Sequence, residues 1–199
     1  MDAWYRAAPT LYVATSEAQL GSFDDAIEAC AAVGAPEEIR PIDAAALCGR
    51  CAAGFLGGAI VRTSATVQPA RLALGLRDRV LAAGVRLHEH TPVKRLSAEG
   101  TVTTPSGRVR AGAAVLSVNS ATAGFPGFRL AHAVASSHMV LTEPVPDVLE
   151  KLGWTGGEPI ADGRTLLHYL RTTRDGRIAF GWGGGRMGGG ARRLASLEI

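Results

Sequence analysis

Thr66-Val67-Gln68-Pro69-Ala70-Arg71-Leu72 opens the stretch that decides the fold, and Ala113-Ala114-Val115-Leu116-Ser117-Val118-Asn119 closes it. Pro69 suits the first turn of a helix, where an N–H has no intrahelical partner to lose. Leu72, Leu76, Val80 and Ala83 then recur at helical spacing, with Arg71, Gly75, Asp78 and Arg79 opposite them. That spacing predicts a helix whose apolar stripe faces a core. Gly84 follows as a left-handed stop, which glycine adopts without a Cβ penalty. Val85-Arg86-Leu87-His88 alternates with period two and predicts a strand. Thr91-Pro92 bends the chain and 93–96 continues extended. Residues 101–104 and 108–110 flank the turn Pro105-Ser106-Gly107, a hairpin signal. Residues 113–118 are nearly all apolar, the pattern of a strand covered on both faces in a parallel sheet. Helix, strand, hairpin and returning strand make an α/β layer with a hairpin insertion.

Upstream, Leu11-Tyr12-Val13-Ala14 reads as a short strand. Ser16 and Gln19 have capping-box spacing ahead of an apolar stripe at Leu20, Phe23, Ile27 and Cys30, with Gly34 as the stop. Asp43 caps a short helix through Leu47, and Gly57-Gly58-Ala59-Ile60-Val61 returns as a strand. Downstream of Asn119 the chain turns at Gly124-Phe125-Pro126-Gly127. Residues 132–142 are long enough for one full strand, and Pro144 and Pro146 introduce a short helix. Asp175-Gly176 lies between two alternating apolar runs, 166–171 and 178–182, a strong hairpin signal. That hairpin is expected in an antiparallel sheet separate from the layer containing 113–118. The glycine-dense 183–190 run is expected to be mobile.

The succession Ala65-Thr66-Val67-Gln68-Pro69-Ala70-Arg71-Leu72, then Gly84-Val85-Arg86-Leu87-His88-Glu89-His90-Thr91-Pro92-Val93, then Val115-Leu116-Ser117-Val118-Asn119-Ser120-Ala121 resembles FAD-dependent oxidoreductases of the D-amino-acid oxidase and glycine oxidase superfamily. The similarity is greatest to its γ-glutamylputrescine oxidase-like members. Leu167-His168-Tyr169-Leu170-Arg171-Thr172-Thr173 with Asp175-Gly176-Arg177-Ile178-Ala179-Phe180-Gly181-Trp182-Gly183 looks like that family's substrate-domain hairpin. The resemblance implies a mixed α/β and α+β fold: an incomplete Rossmann-like FAD-binding layer, interleaved with an antiparallel substrate domain. On that reading residues 1–62 and 129–185 are substrate-domain segments, 63–128 an FAD-domain segment, and 186–199 a mobile tail. The implied activity is oxidation of a C–N bond in a small amine or amino acid, with hydride transfer to FAD. No substrate, electron acceptor, oligomeric state or catalytic acid or base is read from the residues.

Composition sets the outer limits. The 199 residues are 47% hydrophobic and 20% charged, ordinary globular material. Twenty-one Lys and Arg against 18 Asp and Glu leave a net charge of +3, with arginines scattered singly, so nucleic acid is not an expected partner. No apolar run is long enough to span a bilayer, and Met1-Asp2-Ala3-Trp4 lacks the order of a signal peptide, so the default expectation is cytoplasmic. Cys48 and Cys51 form one C-x-x-C without a second ligand pair, which favours structural thiols over a zinc or redox site. His88 and His90 lack a third ligand and are read as solvated, with no metal expected. No G-x-G-x-x-G follows a strand anywhere, and the glycines of 183–190 follow a hairpin, so these residues lack the loop that receives a pyrophosphate. The alternative reading is therefore a non-catalytic remnant or interaction module that does not bind FAD on its own.

Candidate residues each carry two readings. The resemblance puts a backbone contact to the adenine end of FAD on Val93, which otherwise is a plain strand residue. Asn119, Ser120 and Ala121 end a strand where open α/β sheets place ligands, although a simple turn also selects Asn and Ser. On the 167–171 strand Leu167, Tyr169 and Arg171 share one face, with His168 and Leu170 on the other. Tyr169 and Arg171 are candidates for an amine or carboxylate substrate, or else a half-buried tyrosine and an edge arginine. His138 and Met139 lie on a matching strand and are weaker candidates.

Overall fold

The computed structural model describes residues 2–183 and the backbone of 187–188. Fourteen strands among these residues run in chain order as β1 (Arg6–Ala7), β2 (Thr10–Ala14), β3 (Ile39–Asp43), β4 (Gly57–Val61), β5 (Ala65–Thr66), β6 (Arg95–Leu96), β7 (Thr101–Thr104), β8 (Gly107–Arg110), β9 (Val134–Ala135), β10 (His138–Leu141), β11 (Ile160–Asp162), β12 (His168–Thr172), β13 (Ile178–Trp182) and β14 (Met187–Gly188). The helices are α1 (Asp24–Ala32), α2 (Ala44–Cys48), α3 (Pro69–Ala82) and α4 (Pro146–Lys151). Two compact units result: the first runs to Asp78 and resumes at Ser137, and the second takes Arg79–Ser136 with β14. Among the described residues no helix is long and apolar enough to cross a membrane.

The first unit is built on a seven-stranded sheet ordered β10-β13-β12-β11-β2-β4-β3. All neighbours are antiparallel except β11 and β2. The alternation of β2 explains its central place: Leu11 and Val13 are fully buried on one face, where they meet Leu47, Cys51, Leu149, Trp154 and Ile160. Each such side chain contributes about 1.5–3 kcal/mol by leaving water. α2 is placed over this core by its cap, since the Asp43 carboxylate accepts a hydrogen bond from the Ala46 N–H at 2.8 Å. At the other end of the core face, buried Asp162 accepts from the backbone N–H and Nδ1 of His168 at 2.9 and 3.0 Å and pairs with Arg164 at 3.0 Å, closing the β11–β12 connection. Gly58 lets β4 approach β2, because a Cβ there would overlap the Tyr12 carbonyl. β3 is an edge strand, the one position where Pro41 removes no ladder bond.

Several expectations from the sequence are met. Gly34 and Gly84 end α1 and the helix at Pro69 with φ of 81° and 82°, and Gly176 at 77° turns β12 into β13. The helix expected from Ser16 is instead split. A 3-10 turn at Glu17–Gln19 precedes α1, Ser16 makes no capping bond, and the Gln19 side chain accepts from the Thr15 N–H at 2.9 Å. Gly21, with φ of 82°, divides the two. The strand expected over 132–142 is also divided, into β9 in the second unit and β10 in the first.

In the second unit β6, β7 and β8 form the expected hairpin sheet, and β9 pairs with β14. Residues 85–88 and 113–118 are not strands, and Val115 is 90% exposed, which corrects the expectation of a parallel layer covered on both faces. A strand exists through lateral pairing, and among the described residues no strand lies beside either segment. The stripe on α3 likewise meets no core: Leu76 is 51% exposed and no α3 residue is buried. The glycine-rich run and the tail expected to be mobile fall, apart from 183 and 187–188, outside the described residues.

Candidate functional site

Register decides which side chains meet on the seven-stranded sheet. Tyr169 pairs with Gly181, Arg171 with Ala179, and Met139 with Gly181. Directly paired residues share a face, so Tyr169, Arg171 and Met139 converge on the side opposite the core. His138 pairs with Trp182 and takes the other face. Leu167 joins Tyr169 and Arg171 on their side, around a hollow of about 280 Å³ whose walls also include Tyr12, Pro159 and Ala161.

Tyr169 is half-buried, and its ring lies flat across β13 because position 181 has no side chain: a Cβ there would overlap the ring. Its hydroxyl donates to Ser137 Oγ at 3.2 Å. Arg171 donates from Nη1 to the Val67 carbonyl at 2.6 Å, just ahead of α3. Two phenols, a thioether and a guanidinium thus line one sheet face in fixed positions.

A larger hollow of about 810 Å³ shares Met139, Arg171 and Ala179 and is rich in arginine. Arg174 pairs with Asp2 at 3.2 Å, and Arg177 with Asp175 at 2.9 Å and Glu143 at 3.3 Å. The Trp4 N–H hydrogen bond holds the Asp2 carboxyl below its ordinary range, and the Thr173 hydroxyl, then Arg177, do the same for Asp175. The Asp175 hydrogen bond in turn pushes the Arg177 guanidinium up. Arg6 and Arg171 differ: each donates only to a backbone carbonyl, Thr155 at 2.7 Å and Val67 at 2.6 Å, and neither has a carboxylate partner among the described residues.

In the second unit Val93, Lys94 and Arg95 line a cleft of about 570 Å³ with Gly124, Phe125 and Pro126. Lys94 donates its N–H to Thr103, whereas the Val93 N–H and C=O make no hydrogen bond among the described residues. Asn119, Ser120 and Ala121 begin the 3-10 turn Asn119–Gly124 whose far end joins that cleft; Asn119 has φ of 48°, and the three do not line it. The residues that sequence reasoning missed are Gly181, Ser137, Arg6 and the Val67 carbonyl. A lone glycine inside the 178–182 strand pattern was the available signal for Gly181, since it marks a close approach. The others depend on contacts between distant segments.

Comparison with known proteins places this geometry. The fold is that of L-proline dehydrogenase from P. horikoshii, with a TM-score of 0.72 at 19% identity over 94% of this chain and 51% of that one. Glycine oxidase from Geobacillus kaustophilus superposes with a TM-score of 0.69 at 19% identity, over 96% of this chain and 50% of that one. A probable oxidoreductase, OrdL, of Rhizobium meliloti (strain 1021) is 26% identical over 122 residues, 58% of this chain and 27% of its own length. The chain therefore spans about half the length of those solved structures and less of the curated relative. The family model of the FAD dependent oxidoreductases, DAO, matches residues 1–196. This chain belongs to the DAO family of FAD-dependent oxidoreductases.

Proposed function

We propose that this chain is part of an FAD-dependent oxidoreductase that oxidises a C–N bond of a small amine or amino acid. The observation that carries the reading is the convergence of Tyr169, Arg171 and Met139 on one sheet face around a hollow, in a chain of this family. Relatives named for the oxidation of glycine and of L-proline support the substrate class.

The residues fit FAD at its adenine end. Val93, whose N–H and C=O make no hydrogen bond among the described residues, lines a cleft roomy enough for a purine together with the half-buried Phe125. Asn119, Ser120 and Ala121 are proposed to lie near the cofactor from the adjoining turn. At the pyrophosphate the fit is partial, because no glycine loop opens a helix after a strand in the described residues. FAD held there would supply a hydride acceptor for the carbon beside an unprotonated amine, leaving an imine for water to hydrolyse. This chain's residues bind and orient the substrate. Arg171 is placed for a carboxylate, Tyr169 supplies a phenol held by Ser137 and Gly181, and Met139 closes the apolar side. His138 serves that face only as a neighbour in its strand.

Adenosine titrated into isotopically labelled protein tests the cofactor side. The amides of Val93–Arg95 and Gly124–Phe125 are expected to shift, and shifts confined to other segments would count against the assignment. In the presence of saturating FAD, Tyr169→Phe and Arg171→Gln should each lower amine oxidation kcat/KM by about tenfold or more, the scale of one lost charged or polar contact. The missing glycine loop favours a second reading, a non-catalytic module of the same fold, and that reading predicts no amide shifts with adenosine.

A further inference from the structure

The two edges of the seven-stranded sheet are finished differently. β3 closes one side and carries features that keep an edge from pairing: Pro41, which has no N–H to offer, and the charged Arg40 and Asp43. β10 closes the other with His138-Met139-Val140-Leu141, which holds no proline, lysine, arginine or carboxylate. Among the described residues no strand lies beyond it, and Met139, Val140 and Leu141 are 60%, 63% and 57% exposed. An open apolar edge of this kind is a template for another strand.

Register fixes which backbone groups that edge presents. The Thr142 N–H donates inward to the Ile178 carbonyl at 3.0 Å. Hydrogen-bonded pairs alternate along an antiparallel ladder, so Val140 opposite Phe180 and His138 opposite Trp182 also bond inward, and the N–H and C=O of Met139 and Leu141 point away from the sheet. Donors and acceptors so placed on alternate residues are self-complementary. When a second β10 lies antiparallel with Val140 opposite Val140, Met139 of each copy meets Leu141 of the other, and every outward N–H and C=O of the two strands is bonded.

We propose that β10 is an interface between two copies of this chain, joined edge to edge into one continuous sheet about a two-fold axis at Val140. Met139 and Leu141 of the two copies pack together on the Tyr169 face, and the two Val140 side chains meet on the opposite face. Since Met139 and Leu141 also line the 810 Å³ hollow, the partner's Leu141 comes to its rim. Pairing at this edge does not depend on what the Tyr169 face binds.

Sedimentation velocity of the full chain over a concentration series, with hydrogen exchange followed at each concentration, tests the interface. A reversible monomer–dimer equilibrium is expected. The Met139 and Leu141 amides should exchange about tenfold more slowly in the dimer than in the monomer, while the Val140 amide, bonded inward in both, changes little. Leu141→Pro removes an outward N–H and leaves the ladder to β13 intact, and Val140→Lys sets like charges face to face across the axis. Each should weaken dimerisation by about tenfold or more. In a Cys48→Ser background Val140→Cys should give a disulfide-linked dimer under mild oxidation, since directly opposed residues that do not exchange hydrogen bonds lie about 4.5 Å apart at Cα, within disulfide reach. Glu143→Cys in the same background, well away from the axis, should not. A chain that stays monomeric throughout the series, Met139 and Leu141 amides already slow in the monomer, or a dimer indifferent to both β10 variants would overturn the proposal. Should either variant fail to fold, exchange and cross-linking decide, and equal cross-linking at positions 140 and 143 would overturn it as well.

Discussion

Cys51 and Cys48 are three residues apart and chemically unlike. Cys51 is 2% exposed in the core, and burial, offset in part by the Ala53 N–H, pushes its thiol pKa up, with the Glu158 carboxylate adding to the rise. Cys48 is exposed at the end of α2. A thiol-specific reagent should therefore label Cys48 rapidly and Cys51 only as the protein unfolds, and Cys48→Ser should remove that fast reaction. Because the folded value lies above the unfolded one, Cys51 costs stability only as pH rises past the ordinary thiol range towards the folded value. Glu38 has the opposite sign. The Thr63 hydroxyl and N–H, both donating at 2.9 Å, hold its carboxyl low, so its contribution is present above the ordinary glutamate value and is lost as pH falls through the folded one. Glu38→Gln should flatten the acid limb of a melting-temperature profile, leaving the part due to Asp2, Glu99 and Asp175, and an unchanged limb would show that Glu38 is not held this way. At this scale the sequence was informative where one residue fixes one conformation, as at Gly34, Gly84, Gly176 and Asp43. It was silent on Arg171 reaching the Val67 carbonyl, because that contact joins segments 104 residues apart.

Elements are set by what lies beside them, and β2 with β4 is the clearest case. Gly58 opposite Val13 has no room for a Cβ, since the nearest atoms are backbone atoms of Tyr12 and Val13 that are themselves in the ladder. Gly58→Ala should cost about 3 kcal/mol in chemical denaturation, the upper range for overpacking, whereas Gly112→Ala, with open space around it, should stay within about 0.5 kcal/mol. Equal effects at the two positions would mean that β4 does not approach β2 so closely. Asp43→Ala should remove about 1 kcal/mol by orphaning the Ala46 N–H at the start of α2. Local pattern was enough for the β12–β13 hairpin, whose Asp175-Gly176 turn and alternating flanks agree. It missed β3, in which Pro41 and the charged Arg40 and Asp43 hide a strand made by pairing with β4. It overstated 113–118, whose apolar composition says what the segment can bury and nothing about whether a neighbour is present. The Tyr169 face shows both limits together. Period two separates His138 from Met139, but only the register with β13 decides which of them joins Tyr169.

At the scale of the molecule, the chain superposes over nearly all its length on about half of each related structure. That bears directly on cofactor affinity. A dinucleotide is anchored largely at its pyrophosphate, where glycine-loop N–H groups and a helix N-terminus meet the charge, each charge-assisted hydrogen bond being worth on the order of 1.5–3 kcal/mol. No such loop follows a strand in these 199 residues. What they present is the Val93 cleft, lined by Lys94 and Arg95 as well as by the Phe125 ring, which offers a purine a ring face and a phosphate two side-chain charges but no helix-opening glycine loop. Doing without three pyrophosphate bonds removes roughly 4–9 kcal/mol, which at about 1.4 kcal/mol per decade moves a nanomolar site to micromolar or weaker. The 199-residue protein is therefore expected to purify colourless and to quench little FAD fluorescence at micromolar concentration. Adenosine and FAD at millimolar concentration should nevertheless shift the same Val93 and Phe125 amides, because the adenine end is the part these residues are proposed to hold. Stoichiometric flavin retained through purification would show that phosphate is being bound by residues outside that cleft. Phe125→Ala then separates the two sources of affinity, since it should abolish the adenosine shifts in either case and release the flavin only if the cleft is what holds it.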